Sequence, residues 1–174
     1  MTYKEIPRFT RNANYRINVD WPYLEKQLQG WIEEREVAPL NIDPEFQRTH
    51  VWRPEQQSAY VEYILRGGIS GREIYFNCIG WNGDYRGPFV LVDGKQRLEA
   101  VRSFLRDEVP VFGGHKCSQI EGRIPNSAFF YINVNDLGTN AEVLQWYLDL
   151  NTGGVVHTTE ELDKVRAMLA QEKH

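Results

Sequence analysis

The five residues Asp93-Gly94-Lys95-Gln96-Arg97 join an apolar run, Phe89 to Val92, to a helical pattern in which Leu98, Val101, Phe104 and Leu105 share one face. A strand that ends in a carboxylate and a glycine and runs into a basic helix start has the makings of an anion site. The first-turn N–H groups of the helix point outward with the positive end of the macrodipole, and glycine lets a phosphate approach the backbone. In that chemistry Gly94 and Lys95 hold phosphate, and Gln96 positions a water or a hydroxyl. Asp93 holds a magnesium ion or orients the water, and Arg97 offsets developing charge. The same residues also read as a plain helix start: Asp93 and Gln96 have capping-box spacing, and Arg97 reaches Asp93 at i,i+4. A Walker A loop is excluded, because Phe89 and Gln96 stand where its first glycine and its Ser/Thr belong.

A second segment, Asp43-Pro-Glu-Phe-Gln-Arg-Thr-His-Val-Trp-Arg-Pro54, carries Gln47 and Arg48 on an extended stretch that leads into a helix beginning at Pro54. Further on come a helix ending Ile64-Leu65-Arg66-Gly67, the Val92 to Leu98 segment, and Leu150-Asn151-Thr152-Gly153-Gly154 followed by Glu160-Glu161-Leu162. Taken in this order, over about Pro39 to Leu169, these elements resemble the DGQQR-motif ParB-like family, the N-terminal domain type of GmrSD and SspE restriction effectors. The resemblance implies a ParB/sulfiredoxin-like fold with a nucleotide-hydrolysing phosphate site at Asp93–Arg97. It also implies a nucleoside triphosphate with Mg as cofactors, and coupling to DNA, to a separate nuclease or to a host defence protein. Carried onto this chain, the catalytic set is Asp93, Gln96, Arg97 and Arg48, with Asp93 on the metal. Gly94, Lys95, Gln47, Asn151, Gly153 and Gly154 would hold the nucleotide. Lys95 stands where the family's motif has its first glutamine; a lysine can hold phosphate as a point charge but cannot accept a hydrogen bond.

The elements that must position these residues fit a chain of 174 residues with 41% apolar and 25% charged residues, which is one globular domain of mixed α/β class. The sequence predicts helices from Trp21, Pro54, Gly94, Asn140 and Thr159, a hairpin formed by Glu73–Trp81 and Pro88–Val92, and short strands at Val109–Phe112 and Ala128–Val134. Thr139/Glu142 and Thr158/Glu161 have capping-box spacing. Residues 1–19, with Tyr3, Phe9 and Tyr15 among Lys4, Arg8, Arg11 and Arg16, read as a mobile N-terminal arm. No apolar run approaches the roughly 18 residues of a membrane helix and no secretory signal is present, so the expected compartment is the cytoplasm, with no membrane partner.

Net charge is −4, which argues against a protein that coats nucleic acid through bulk charge. Only residues 48–106 carry a net positive charge, +3, so the middle third is the part that can face an anion. Cys78 and Cys117 form no C-x-x-C pair, and the four histidines, His50, His115, His157 and His174, show no metal-site spacing. DNA cleavage of the HNH type is therefore expected from a partner. Two alternatives to a nucleotide hydrolase stand: a regulator that clamps nucleic acid or a partner protein in the same pocket without turnover, and a DNA-nicking endonuclease.

Overall fold

The computed structural model describes residues 6, 9–13, 15–33, 40–47, 52–81, 83, 87–152 and 159–172. Five strands are present: β1 (Tyr15–Asp20), β2 (Leu40–Asn41), β3 (Glu73–Cys78), β4 (Phe89–Asp93) and β5 (Phe129–Asn135). The α-helices are α1 (Leu24–Glu33), α2 (Pro54–Leu65), α3 (Lys95–Leu105), α4 (Asn140–Thr152) and α5 (Thr159–Glu172). Sheet order is β1-β5-β3-β4-β2. β3 and β4 form the expected antiparallel hairpin, β5 lies parallel to β3, β1 closes one edge antiparallel to β5, and β2 closes the other parallel to β4. The mixed α/β class read from the sequence is the class observed.

Alternation along the strands divides the sheet into two faces. Ile74, Phe76, Phe89, Leu91, Phe130 and Ile132 are fully buried on one face, where α1, α2 and α3 deliver Leu24, Trp31, Val61, Ile64, Leu98 and Phe104. Trp31 lies flat on Phe89 at 4.4 Å and meets Phe76 edge-on at 5.2 Å. Each such side chain contributes about 1.5–3 kcal/mol, which fixes α2 and α3 side by side on the sheet. The other face packs Val92 and Tyr75 under Val143, Trp146 and Leu148 of α4 and Val165 and Leu169 of α5. Asn77 is buried among these apolar groups because it mimics a strand: its amide donates to Leu137 O (3.1 Å) and its carbonyl accepts from Leu137 N–H (2.8 Å). At the start of α4 the capping box forms in both directions, Glu142 N–H to Thr139 Oγ1 and Thr139 N–H to Glu142 Oε2. Thr158 lies outside the described residues.

Three expectations change. Residues 15–19, read as part of an arm, are five of the six residues of β1. Their alternation of Ile17 and Val19 with Arg16 and Asn18 is a strand period, and Thr10 and Arg11 just before them bond to Asp149 and Asn135. Val109–Phe112 joins no sheet; Val111 makes one bridge to His115, because Phe112 (φ 47), Gly113 (φ 82) and Gly114 (φ 123) reverse the chain at once. The stretch that carries Gln47 is extended only at its start: Asn41 Oδ1 accepts from Asp43 N–H (3.0 Å), Gln47 N–H closes a turn on Pro44 O (2.9 Å), and residues 48–51 are outside those described. Among the described residues no helix is long and apolar enough to cross a membrane.

Asn77→Ala is expected to leave the Leu137 N–H and C=O unpaired in the core and to lower unfolding free energy by about 2–3 kcal/mol. Denaturant titration should show a lower midpoint at an unchanged slope.

Candidate functional site

The junction between β4 and α3 is set by Gly94. Its φ is 101°, in the left-handed region, and a Cβ there would lie 2.6 Å from Ile74 Cδ1 and 3.2 Å from Glu73 O. Only glycine meets both conditions, so β4 can stop at Asp93 and α3 begin at Lys95 while the chain stays against β3. Gly94 itself is the N-cap and has no side chain to give. Its carbonyl accepts from Leu98 N–H at 2.9 Å, the first bond of the α3 ladder, so the amides of residues 95–97 face the N-terminal end of the helix.

Asp93 is not the cap that the spacing suggests. Its carboxylate takes Arg97 Nη2 at 2.7 Å, with both side chains about one quarter exposed. Gln96 does not reach back to Asp93 either. It is buried, and its carbonyl accepts the backbone N–H of Trp52 at 2.9 Å, tying the start of α3 to the residues that lead into α2. The capping box fails because a partner from a distant segment wins the glutamine. Lys95 is ion-paired with the exposed Asp43. Gln47 donates to Leu91 O at 2.6 Å, so a side chain replaces the strand partner that β4 lacks beyond β2.

Arg97 is the least satisfied cation of the group. Its stem passes Gly71, where an added Cβ would meet Arg97 Cδ at 3.8 Å and the Tyr60 ring at 3.6 Å. One terminal nitrogen serves Asp93, while Nε is buried with no acceptor. A guanidinium presents five donors in a rigid fork, and a phosphate satisfies two of them at once. Two tyrosines flank the pair. Tyr60 packs on Trp52 at 5.4 Å and donates its hydroxyl to Gly71 O at 2.7 Å. Burial holds its phenol above the usual tyrosine range, against the pull of Arg97 and Arg72. Tyr75 faces Asp93 across the β3–β4 ladder; burial first, then the Glu73 and Asp93 carboxylates, raise its phenol too. Neither tyrosine belongs to a local motif, and only strand register and helix packing bring them to Arg97.

Asp93 through Arg97 and Gln47 are thus brought together around the starts of α2 and α3. Asn151 lies in the last turn of α4, and its amide donates back to Tyr147 O at 2.7 Å. Tyr147 meets Phe46 edge-on at 5.4 Å, so this end of α4 adjoins the 44–47 turn. Arg48, Gly153 and Gly154 lie outside the described residues, as do His50 and His157.

The family model for the N-terminal domain of GmrSD restriction endonuclease matches residues 26–131. The chain belongs to that family. The match runs from α1 through the first residues of β5 and contains Gln47, Arg48 and the whole Asp93–Arg97 junction. Asn151, Gly153 and Gly154 fall beyond it. No curated protein and no solved structure matches the chain.

Among the described residues no three His, Cys, Asp or Glu side chains are grouped to hold a metal ion. A magnesium ion that arrives with a triphosphate needs only one or two protein carboxylates, and Asp93 has one oxygen that Arg97 does not use. The donor set fits that ion and no tighter one.

Gly94→Ala is expected to lower stability by more than about 2 kcal/mol, from strain and contact with Ile74 together. At Gly67 (φ 91) a Cβ would meet nothing within 4 Å, and Gly67→Ala should cost only about 1 kcal/mol. Thermal and denaturant melts of the two variants separate close approach from backbone strain.

A raised Tyr60 makes the folded state hold its proton longer than the unfolded chain does. Its contribution is full below about pH 10 and is lost as pH rises beyond that. Tyr60→Phe should flatten the fall in stability above about pH 10 and cost about 1 kcal/mol at neutral pH, from the bond to Gly71.

Proposed function

We propose that this chain is the nucleotide-binding domain of a restriction system: it binds a nucleoside triphosphate at the start of α3 and couples its hydrolysis to DNA cleavage by a nuclease partner. Membership of the GmrSD N-terminal family supplies the restriction context. The observation that carries the site is the buried, acceptor-less Nε of Arg97, beside a helix start whose Gly94 leaves no side chain in the way. Phosphoryl transfer needs position and charge more than a strong nucleophile, and the residues present are of that kind. The amides of residues 95–97 and the Lys95 ammonium meet the phosphates. Arg97 meets the transferring group, and Asp93 holds the magnesium ion or orients the attacking water. Bound magnesium would neutralise phosphate charge. On the family's pattern Arg48 would supply a second guanidinium to the transferring group, and Asn151, Gly153 and Gly154 would contribute to holding the nucleotide.

A second reading has its own support. Gln96, the expected water-positioning group, has its carbonyl engaged by Trp52, and Lys95 replaces the first glutamine of the family's motif. Both favour a pocket that binds a triphosphate or a nucleic-acid phosphate and regulates a partner without turnover.

Phosphate release from the four ribonucleoside triphosphates, with and without DNA, separates the two. Hydrolysis is expected, and Asp93→Asn should reduce it by roughly 10²-fold at a nearly unchanged melting temperature. Arg97→Ala should weaken triphosphate binding about tenfold or more, while the lost i,i+4 pair itself contributes only about 0.2–0.5 kcal/mol to the fold. Binding without release would establish the regulator. A wild-type chain that binds no nucleotide would end both readings of the pocket as a triphosphate site.

A further inference from the structure

A cavity of about 500 Å³ lies at the far ends of α2 and α3, roughly 15 Å of helix rise from Gly94. Leu65 and Phe104 form its floor, and the long 107–126 loop supplies Phe112, Ile120, Ile124 and Pro125 as walls.

The loop that walls it is braced against collapse. Ser58 Oγ donates to Pro110 O (2.6 Å), the Phe112 N–H donates to the Glu62 carboxylate (2.6 Å), and Ser118 N–H donates to Asp107 (2.9 Å). Among the described residues only two that are not glycine have positive φ, Asp107 (62°) and Phe112 (47°), and both lie in this loop. Asp107 closes the C-terminal end of α3, with Asp107 N–H on Phe104 O (3.0 Å) and Glu108 N–H on Ser103 O (2.9 Å), and Phe112 opens the Gly113-Gly114 reversal, so both conformations fix the shape of the loop. The loop also holds a short 3-10 turn, Cys117–Gln119, beside the cavity.

We infer that this cavity is a binding site for a small, uncharged, ring-bearing molecule. Its volume falls within the range of small-molecule sites, about 300–1,000 Å³. Phe112, 39% exposed, offers aromatic surface to a ring, and the buried Phe104 lines the same cavity. The lining also includes Glu121 and Arg123, which are exposed and make no hydrogen bond or ion pair with described residues; their opposite charges give the site no net sign. Cys117 lines the cavity as well, and burial followed by Asp107 keeps its thiol protonated, so the wall there is neutral.

The two cysteines provide the readout, since Cys78 is fully buried and Cys117 is not. The uncharged dye Nile red, titrated into the whole chain, should bind one per molecule with a blue-shifted emission. At saturation it should slow N-ethylmaleimide modification of Cys117 by about tenfold or more, followed by peptide mass spectrometry. Ile124→Trp fills the cavity and should abolish both effects. Dye that binds without protecting Cys117, dye that binds Ile124→Trp as well as wild type, or no binding up to the dye's solubility would overturn the inference. Equal affinity for 8-anilinonaphthalene sulfonate would overturn the uncharged class. If Ile124→Trp does not fold, protection of Cys117 in the wild type decides.

Discussion

The absence of one carbon atom at position 94 governs the rest. β3 passes so close to the β4–α3 junction that a Cβ would strike Ile74 and crowd the Glu73 carbonyl, and the backbone there has a left-handed φ that disfavours other residues. Because the chain can turn without leaving the sheet, α3 starts directly above the end of β4. Asp93 and Arg97 are then one helical turn apart at the sheet's edge. A junction one residue longer would put Leu98 and Phe104 out of register with the core and swing Arg97 away from Tyr60 and Gly71.

Around that junction the motif residues divide into two kinds of work. Gln96 and Gln47 are scaffold: the Gln96 side-chain carbonyl accepts from Trp52 N–H, and the Gln47 amide donates to Leu91 O, each tying in a backbone group from another segment. Lys95 and Arg97 keep charge at the helix start, each beside a carboxylate that an anion can displace or share. Asp43 is largely exposed and the Asp93–Arg97 pair about one quarter exposed, so an incoming anion can reach both pairs. The polar residues that hold the pocket together are therefore not the residues that present charge within it.

Much of this was legible in the chain itself. An apolar run ending in Asp-Gly before a 3.6-residue period marks a strand–helix junction, and the β3–β4 hairpin and the Thr139–Glu142 box follow from equally local rules. What sequence spacing cannot rank is competition from afar. Asp93 and Gln96 had the right separation for a box, but Trp52, 44 positions away, takes the glutamine. Tyr60 and Tyr75 reach Arg97 through packing alone. Val109–Phe112 is as apolar as a strand, yet the two glycines after Phe112 turn it back on itself. A Gly-Gly pair two residues after Asn151 does not stop the helix before it: α4 runs to Thr152 and the asparagine bonds within the helix.

The order of strands in the sheet has a kinetic side. β1 is the first strand made and its sole partner, β5, is the last: Tyr15 faces Val134 and Asp20 faces Phe129. During synthesis from the N-terminus, β1 waits unpaired until the rest of the sheet has left the ribosome. Such long-range closure slows folding, because chain entropy is lost before the contacts that compensate it can form. In the meantime an edge strand with a free ladder is open to the wrong neighbour, and Arg16 and Asn18, set between Ile17 and Val19, are the kind of polar residues that discourage such pairing.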